Sequence, residues 1–571
     1  MNEESPRGPS PLPTTSADTS WHVDDGTLPH ALPEALWSRF EKYGTVIFPA
    51  DGEILVEAGH QWYPLFLVGT GSIEVVRSGN AWLDDAVVAV YGSRMFSGEL
   101  GALSGQRAFL TARVRSAGRM LRVDSSQLRK LMTDEDELAE LILRTFWQRR
   151  EYLMHGPAAQ SVKIVGPAAS KEVLALRTFA ARFELPHTWS EEDDESDALG
   201  FGVGDYPIVF VQGEPLLRAT PGLLSEKLGF SYSEAETITV DLAVVGAGPS
   251  GLAAAIYGAS EGLTTVLLDS VAPGGQAAGT SRIENYLGFP YGLSGAELIG
   301  KAQLQAIKFG VRIFAPCEVT ALEAQGDCIS LSLGNDHRIH ARSVIIATGA
   351  AYRSLAIERW TEFEGAGIYY AATPLETKQV QGAPVVVIGG ANSAGQAALY
   401  LAAHSCDVHL VVRGKDLNES MSTYLLDRIT DDPRIHIYLD SQVVRLGGET
   451  SLSSVRLSTG ETLVCRGVFC FIGAEPSTGW LPDLDKDGHG FINSGPDIQS
   501  QRARKNFSAL GREVLPFESS LPCLFAVGDV RKGSMKRIAA AVGEGSSAVA
   551  SVHRALAFSR RRADLPLAGS E

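Results

Sequence analysis

Hydrophobic and polar positions change rhythm three times along this chain. From Tyr43 to Val123, short β-type runs such as "GTVIFPADGEILVEAG" and "YPLFLVGTGSIEVVRSG" are broken by turn residues, which predicts a small β-barrel or jelly roll. The next stretch, "SSQLRKLMTDEDELAELILRTFWQRREYL", has apolar residues at helical spacing and predicts a helix packed behind the strands. From Ser161 to Phe230 the order becomes strand "VKIVG", helix "KEVLALRTFAARF", strand "YPIVFV", helix "GLLSEKLGF", a small mixed α/β module. The acidic run Glu191–Asp197 inside it predicts a solvated loop, because like charges repel. From Thr237 onward come two strand–glycine-turn–helix units, separated by "SVIIATGA" and followed by "LFAVGDV". That is the pattern of two Rossmann-like nucleotide-binding domains.

Composition narrows the picture. A chain of 571 residues exceeds one ordinary core, so several domains are expected. The net charge of −17 argues against nucleic-acid phosphates and anionic membrane surfaces as partners. Residues 1–32 are polar and Pro/Ser-rich, which predicts a disordered tail without the apolar segment of a signal peptide, hence a cytoplasmic location. Leu242–Ala259 carries no charge, but its Gly-x-Gly-Pro-x-Gly interruption predicts strand, turn and helix rather than a membrane span. Six cysteines without regular spacing make no disulfide framework, and no metal site is expected.

The first glycine turn lies in "DLAVVGAGPSGLAAAIYGASEGLTTVLLDS". Gly246, Gly248 and Gly251 follow an apolar strand and open a helix, permitting a tight turn and close approach of a pyrophosphate to the helix N-terminus. Asp269 ends the next strand, 23 residues after Gly246, where a carboxylate can take both ribose hydroxyls. The competing reading is a glycine-rich packing contact between helix and strand.

Three segments, "GGQAAGTSRIENYLGFP" (Gly274–Pro290), "VIIATGA" (Val344–Ala350) and "LFAVGDVRKGSMKRIAAAVGEG" (Leu524–Gly545), resemble the flavin-site segments of bacterial low-molecular-weight thioredoxin reductases. The resemblance runs from about Asp241 to Arg554 and implies a class II pyridine nucleotide-disulfide oxidoreductase, homodimeric, with FAD in its first Rossmann unit. It places Gly275, Gln276 and Asn285 near the flavin, adds Thr348, Gly349 and Gly528, and sets Asp529 against the ribityl or phosphate part. The family's Arg-Gln pair beside the ring is Lys536-Arg537 here, which makes that pocket more cationic.

The second turn, in "APVVVIGGANSAGQAALYLAAHSCDVHLVVRGK", reads Gly389-x-Ala391-x-x-Ala394, with Gly390, Asn392 and Ser393 between. Alanine at the middle position adds a methyl at the closest approach to a pyrophosphate. Arg413, 24 residues after Gly389, suits the 2′-phosphate of NADPH better than the free ribose of NADH, with Lys415 as a second cation.

In the thioredoxin reductases a Cys-Ala-Thr-Cys pair falls where this chain has Ala371-Ala372-Thr373-Pro374, so Ala371 and Pro374 replace the redox cysteines. A dithiol relay needs one thiolate to attack and another to resolve. Cys465 and Cys470 offer no substitute: on one predicted strand they point to opposite faces, roughly 16 Å apart, beyond disulfide reach. The expectation is therefore hydride transfer from NADPH to FAD, then to an unidentified acceptor entering beside Ala371 and Pro374, flanked by Tyr369 and Tyr370. A protein (an iron–sulfur protein among them), a small electrophile or oxygen would serve as acceptor. The alternative is a non-catalytic sensor of flavin and cyclic nucleotide acting through a partner.

"MFSGELGALSGQRAFLTARV" (Met95–Val114) resembles the phosphate-binding cassette of cyclic-nucleotide-binding domains. The resemblance makes Glu99 the ligand of a ribose 2′-hydroxyl and Arg107 that of a cyclic phosphate, with a regulatory cyclic nucleotide as partner. Ala108, Phe109 and Leu110 replace the usual small and hydroxyl residues. The Ser161–Phe230 module resembles a thioredoxin fold with "GPAAS" in place of its cysteine motif, a docking or spacer domain. The expected organisation is a tail (1–32), a cyclic-nucleotide-binding-like domain (33–155), a thioredoxin-like module (160–232), an FAD domain in two pieces (238–355 and 474–571) and an NAD(P)H domain (356–473).

Overall fold

The computed structural model describes residues 31–563, apart from 78–84, 156–158, 160, 169, 192–200, 233–236, 281, 326–327, 419–420 and 482–483. The tail and the acidic run Glu191–Asp197 thus lie almost wholly outside the described residues. Leu32 is buried in the first core and its amide donates to Arg94 O, so packed chain begins inside the stretch read as tail.

The N-terminal unit has two antiparallel sheets. Thr45–Ile47, Met120–Val123 and Leu65–Val68 form one, and Ile54–Val56, Thr111–Ser116, Ser72–Arg77 and Ala86–Tyr91 the other. Leu65, Leu67, Ile73 and Met120 are fully buried in its core. A helix not expected from the sequence, Glu34–Phe40, seals one end with Trp37 and Phe40. The expected single helix behind the strands is two, Ser125–Asp134 and Asp136–His155, because Glu135 leaves helical geometry at φ −131°, ψ 80°. Arg39 of the first helix pairs with Glu135 and Glu137 across that break, and Asp136 and Glu137 suit the start of the new helix.

In the second unit, Val162–Val165 and Thr188–Ser190 run parallel, joined by the helix Lys171–Arg182. Ile208–Val211 and Glu214–Leu216 extend the sheet antiparallel, before a helix Pro221–Leu228. Ser170 and Thr220 cap the two helices by accepting from Val173 N and Leu223 N. The Tyr206–Pro207 peptide is cis.

The C-terminal half holds two nucleotide-type units. A seven-stranded sheet has Ile238–Val245 at its centre, parallel to Thr265–Leu268 and Arg338–Ile346, with Leu524–Ala526 returning beside the latter. Leu242–Ala259 is strand, turn and helix as expected, and among the described residues no helix is long and apolar enough to cross a membrane. A five-stranded, all-parallel sheet, Ile368–Tyr369, Gly467–Cys470, Pro384–Ile388, Asp407–Val411 and Ile435–Tyr438, forms the other unit. Ala350–Tyr352 and Ala474–Pro476 pair as a ribbon where the chain leaves the first unit and comes back.

One strand expectation fails. Thr462–Val464 belongs to a small antiparallel sheet and Gly467–Cys470 to the parallel one, so Cys465 and Cys470 do not alternate across a common strand. Both are buried in the same apolar cluster.

Candidate functional site

Three glycines shape the first turn for different reasons. Gly246 has φ 105°, and a Cβ there would lie 2.3 Å from Ala347 O. At Gly251 a Cβ would stand 1.8 Å from Gly246 O. Gly248 has φ −71°, and a Cβ there would meet nothing within 4 Å. Its missing side chain leaves open space at the start of the helix Pro249–Ser260, whose positive end favours an anion.

Asp269 sits under that turn. One carboxylate oxygen accepts from Ala247 N (2.8 Å), the other from Val271 N (2.9 Å) and Ala272 N (3.0 Å). Burial pushes its carboxyl up from the ordinary value, against the pull of those amides and of Arg182. A carboxylate offers about four acceptor positions, so roughly one remains, enough for one ribose hydroxyl rather than both.

Further loops converge on the turn. A Cβ on Gly275 would lie 3.2 Å from Gly248 Cα, and the Gln276 amide group donates to Ala350 O at 2.5 Å. The Thr348 hydroxyl donates to Ser477 O (3.0 Å), and Ser477 N to Gly349 O (3.1 Å), tying that turn to the returning ribbon. A Cβ on Gly528 would approach Ser250 Oγ to 2.5 Å. Gly528 N donates to Glu544 at 2.8 Å, and Arg531 pairs with the same carboxylate at 2.7 Å. Glu544 and Arg531 were missed by the sequence reading, since neither belongs to a glycine motif. Burial pushes the Asp529 carboxyl up while Lys536 pulls it down. Lys536 and Arg537 are exposed just before the helix Ile538–Ala563, and Asn285 is exposed as well.

The second turn repeats the first in outline. Gly389 has φ 138°, and a Cβ there would be 2.4 Å from Phe471 O and 3.2 Å from Ala394 Cβ. Ala391 caps the helix Asn392–Ala403 at φ −99°, ψ 176°, extended backbone that any residue adopts. Its methyl therefore costs ligand space and not backbone strain. Asn392 Oδ1 accepts from Ser422 N at 2.8 Å, Ser393 is exposed, and Gly390 lies between the two turn residues. Arg413, Gly414 and Lys415 are exposed at the end of the strand Asp407–Val411.

The segment Ala371–Pro374, which the resemblance aligns with the family's cysteine pair, meets the first unit directly. A Cβ on Gly279 would stand 2.9 Å from Ala371 Cβ and 3.8 Å from Thr373 Cγ2, so Ala371–Thr373 lies on the loop that follows Gln276. Pro374 is exposed and opens the helix Pro374–Val380. Tyr370 stacks on Tyr352 with ring centroids 5.7 Å apart, accepts from Trp360 Nε1 (2.8 Å) and donates to Glu364 (2.5 Å). Tyr369, expected to flank an opening, is instead buried against Phe469 and donates to Gln379. Burial pushes the Tyr352 and Tyr369 hydroxyls up to about 12. None of the six cysteines forms a disulfide, and burial pushes the Cys317, Cys465 and Cys470 thiols up to about 12. Among the described residues no cluster of metal-ligating side chains occurs.

The N-terminal cassette separates its two expected ligands. Glu99 points inward, accepting from the Tyr63 hydroxyl (2.6 Å) and Gly101 N (3.0 Å) and pairing with Arg150 (2.6 Å). Arg107 is exposed, with Nη1 donating to Gly59 O at 3.3 Å and its backbone amide to Leu228 O of the second unit. The short helix Gly101–Ser104 is present, but Glu99 itself takes its first amide.

Residues 240–545 match the family profile described as "Pyridine nucleotide-disulphide oxidoreductase". A thioredoxin reductase of Treponema pallidum (strain Nichols) is 34% identical over 313 residues, 54% of this chain and 94% of that protein. A thioredoxin reductase of Streptomyces clavuligerus is 30% identical, covering 55% of this chain and 93% of its own length. The crystal structure of Lactococcus lactis thioredoxin reductase (FR conformation) aligns with 56% of this chain and 99% of its own, at 29% identity and a TM-score of 0.49.

Proposed function

We infer the function of this chain from the family it belongs to, the pyridine nucleotide-disulphide oxidoreductases, within which it is a thioredoxin-reductase-type NAD(P)H-dependent flavoprotein enzyme. The thioredoxin reductases use FAD and NADPH, which when bound supply hydride transfer from nicotinamide to flavin. Our finer reading is that the electrons leave to an acceptor outside this chain, with no disulfide of its own in the relay.

Ala371 against Gly279 is the observation that supports this reading: the residue that the resemblance aligns with a redox cysteine presents only a methyl group to the loop after Gln276. Cys317, Cys465 and Cys470, pushed up to about 12 by burial, are too weakly acidic to replace that cysteine, and burial raises the Cys406 thiol as well. The chain's own groups have separable roles. Gly248 and the helix Pro249–Ser260 receive the FAD pyrophosphate, and Asp269 orients one ribose hydroxyl. Glu544 fixes the Gly528 amide and so the direction of Asp529. Lys536 and Arg537 bring positive charge to the flavin side, and Arg413 takes the NADPH 2′-phosphate. Tyr370, stacked on Tyr352, directly precedes Ala371, and the acceptor docks beside this segment.

Residues 33–155 are read as a ligand-sensing jelly roll, 160–232 as a thioredoxin-like docking module, 238–355 with 474–571 as the FAD domain and 356–473 as the NADPH domain, in a homodimer. Anaerobic mixing of the FAD-loaded protein with NADPH or NADH, followed by flavin absorbance, tests the core of this. Rapid bleaching by NADPH and slower bleaching by NADH is expected; no bleaching by either removes the reductase reading.

A further inference from the structure

Inside the N-terminal unit lies a cavity of about 90 Å³, room for several water-sized groups. Val56, Val75, Val88, Val90, Phe109 and Leu110 make its walls apolar. Its charged side chains are unequally committed. Glu99 is taken up by Tyr63, Gly101 and Arg150. Arg149, from the helix Asp136–His155, also lines the cavity and is 9% exposed. Nη1 donates to Gly98 O (2.6 Å) and Nη2 to Phe96 O (2.7 Å), while the guanidinium lies over the Tyr91 and Phe96 rings. Among the described residues no carboxylate stands within ion-pair distance of it, and Glu99, which acts on it from farther off, is already paired with Arg150.

A buried cation held in one direction by two carbonyls and lacking a counter-ion is costly. An anion that brings apolar surface with it answers both the charge and the walls. We propose that this cavity binds a small carboxylate on an apolar body, aromatic or short-chain, with Arg149 as its counter-ion. A cyclic nucleotide suits the site less well. Arg107 lies outside the cavity, Phe109 and Leu110 occupy its wall, and Glu99 has little acceptor capacity left for a ribose.

The site also leads toward the first nucleotide turn. Arg150 Nη1 donates to Glu184 O at 3.4 Å, and the helix Gly101–Ser104 packs on the helix Gly295–Lys308. Ile299 of that helix would lie 3.1 Å from a Cβ on Gly274, at the loop holding Gly275 and Gln276. Coupling to flavin reduction follows from this contact and rests on the reading of that loop as a flavin site.

Isothermal titration of the full chain with benzoate, hexanoate, benzamide and cAMP tests the binding without reference to flavin chemistry. Benzoate or hexanoate is expected to saturate one site, with benzamide about tenfold weaker, the loss of one charge-assisted contact. Arg149→Gln lowers benzoate affinity about tenfold and leaves benzamide unchanged, Arg149→Lys keeps much of the benzoate affinity, and Val88→Phe fills the cavity and abolishes both. Saturation by cAMP but by neither carboxylate, equal affinity for benzoate and benzamide, or no binding of any probe each overturns the proposal. Flavin reduction by NADPH with and without benzoate is read separately; an unchanged rate removes the coupling and leaves the site.

Discussion

Gly248 and Gly251 lie three residues apart and would answer the same added methyl in opposite ways. At Gly248 the methyl meets no protein atom within 4 Å, and φ −71° suits alanine. Gly248→Ala should therefore keep the melting temperature of the FAD-free protein while losing FAD, read as a fallen ratio of flavin to protein absorbance. At Gly251 the methyl would stand 1.8 Å from Gly246 O, so Gly251→Ala should cost about 1–3 kcal/mol in urea unfolding, FAD or not. Arg413 makes a different kind of residue-scale prediction. Arg413→Ala should raise KM for NADPH about tenfold and leave NADH unchanged, because only the former loses a charge-assisted phosphate contact. The two glycines were legible because a strand–turn–helix keeps its geometry within a few neighbours. Asp269 was only half legible: its position follows from spacing, but the three amides that occupy it come from the surrounding backbone.

Elements were legible where the local signal was strong, as in the helix Lys171–Arg182 behind its cap Ser170, whereas the helix Gly295–Lys308 was not assigned from the sequence although its signal is just as local. The helix Gly295–Lys308 begins with a capping box, Ser294 accepting from Glu297 N and Glu297 from Ser294 N. Those bonds to Ser294 hold the Glu297 carboxyl below its ordinary value. A carboxylate lowered in the folded state adds stability above its unfolded pKa and loses it as pH falls through the folded value. Glu297→Gln should lower the melting temperature at neutral pH, and the gap should close as the pH drops below the carboxylate range in a pH series of melts. The helical stretch read over Ser125–Leu153 is broken in the structure although its apolar spacing continues across Glu135. What interrupts it is the contact with Arg39, 96 residues away in sequence. The false strand joining Cys465 to Cys470 has a similar origin, since a run of β-formers does not reveal which sheet each part enters.

The whole molecule places the second unit across both nucleotide units. On its helix Lys171–Arg182, Leu174 packs on the core of the parallel-sheet unit, and Arg182 O accepts from Gln303 of the flavin-type unit. Cysteine chemistry is also a whole-molecule question, decided by where each thiol ends up. Cys317, Cys406, Cys465 and Cys470 are buried, and only Cys328 and Cys523 are partly exposed. Iodoacetamide on the native, NADPH-treated protein should add at most two labels by mass and leave NADPH oxidation within about twofold of untreated protein. Loss of activity in step with a single adduct would return a thiol to the relay.

Residue types at fixed local spacing determined the two strand–glycine-turn–helix units, the cysteine-free segment Ala371-Ala372-Thr373-Pro374 and the order of strand-rich, mixed and doubly wound segments. Their physics is short-range: a turn needs its glycine, a helix start needs its cap, and both lie within a few residues. Tertiary packing alone decided that Arg107 faces outward, that Glu99 is held by Arg150 and that Arg149 is left without an acid. Those facts depend on partners such as Gly98 and Glu99, each 51 residues from its arginine, and on the low dielectric that makes an unpaired buried charge costly.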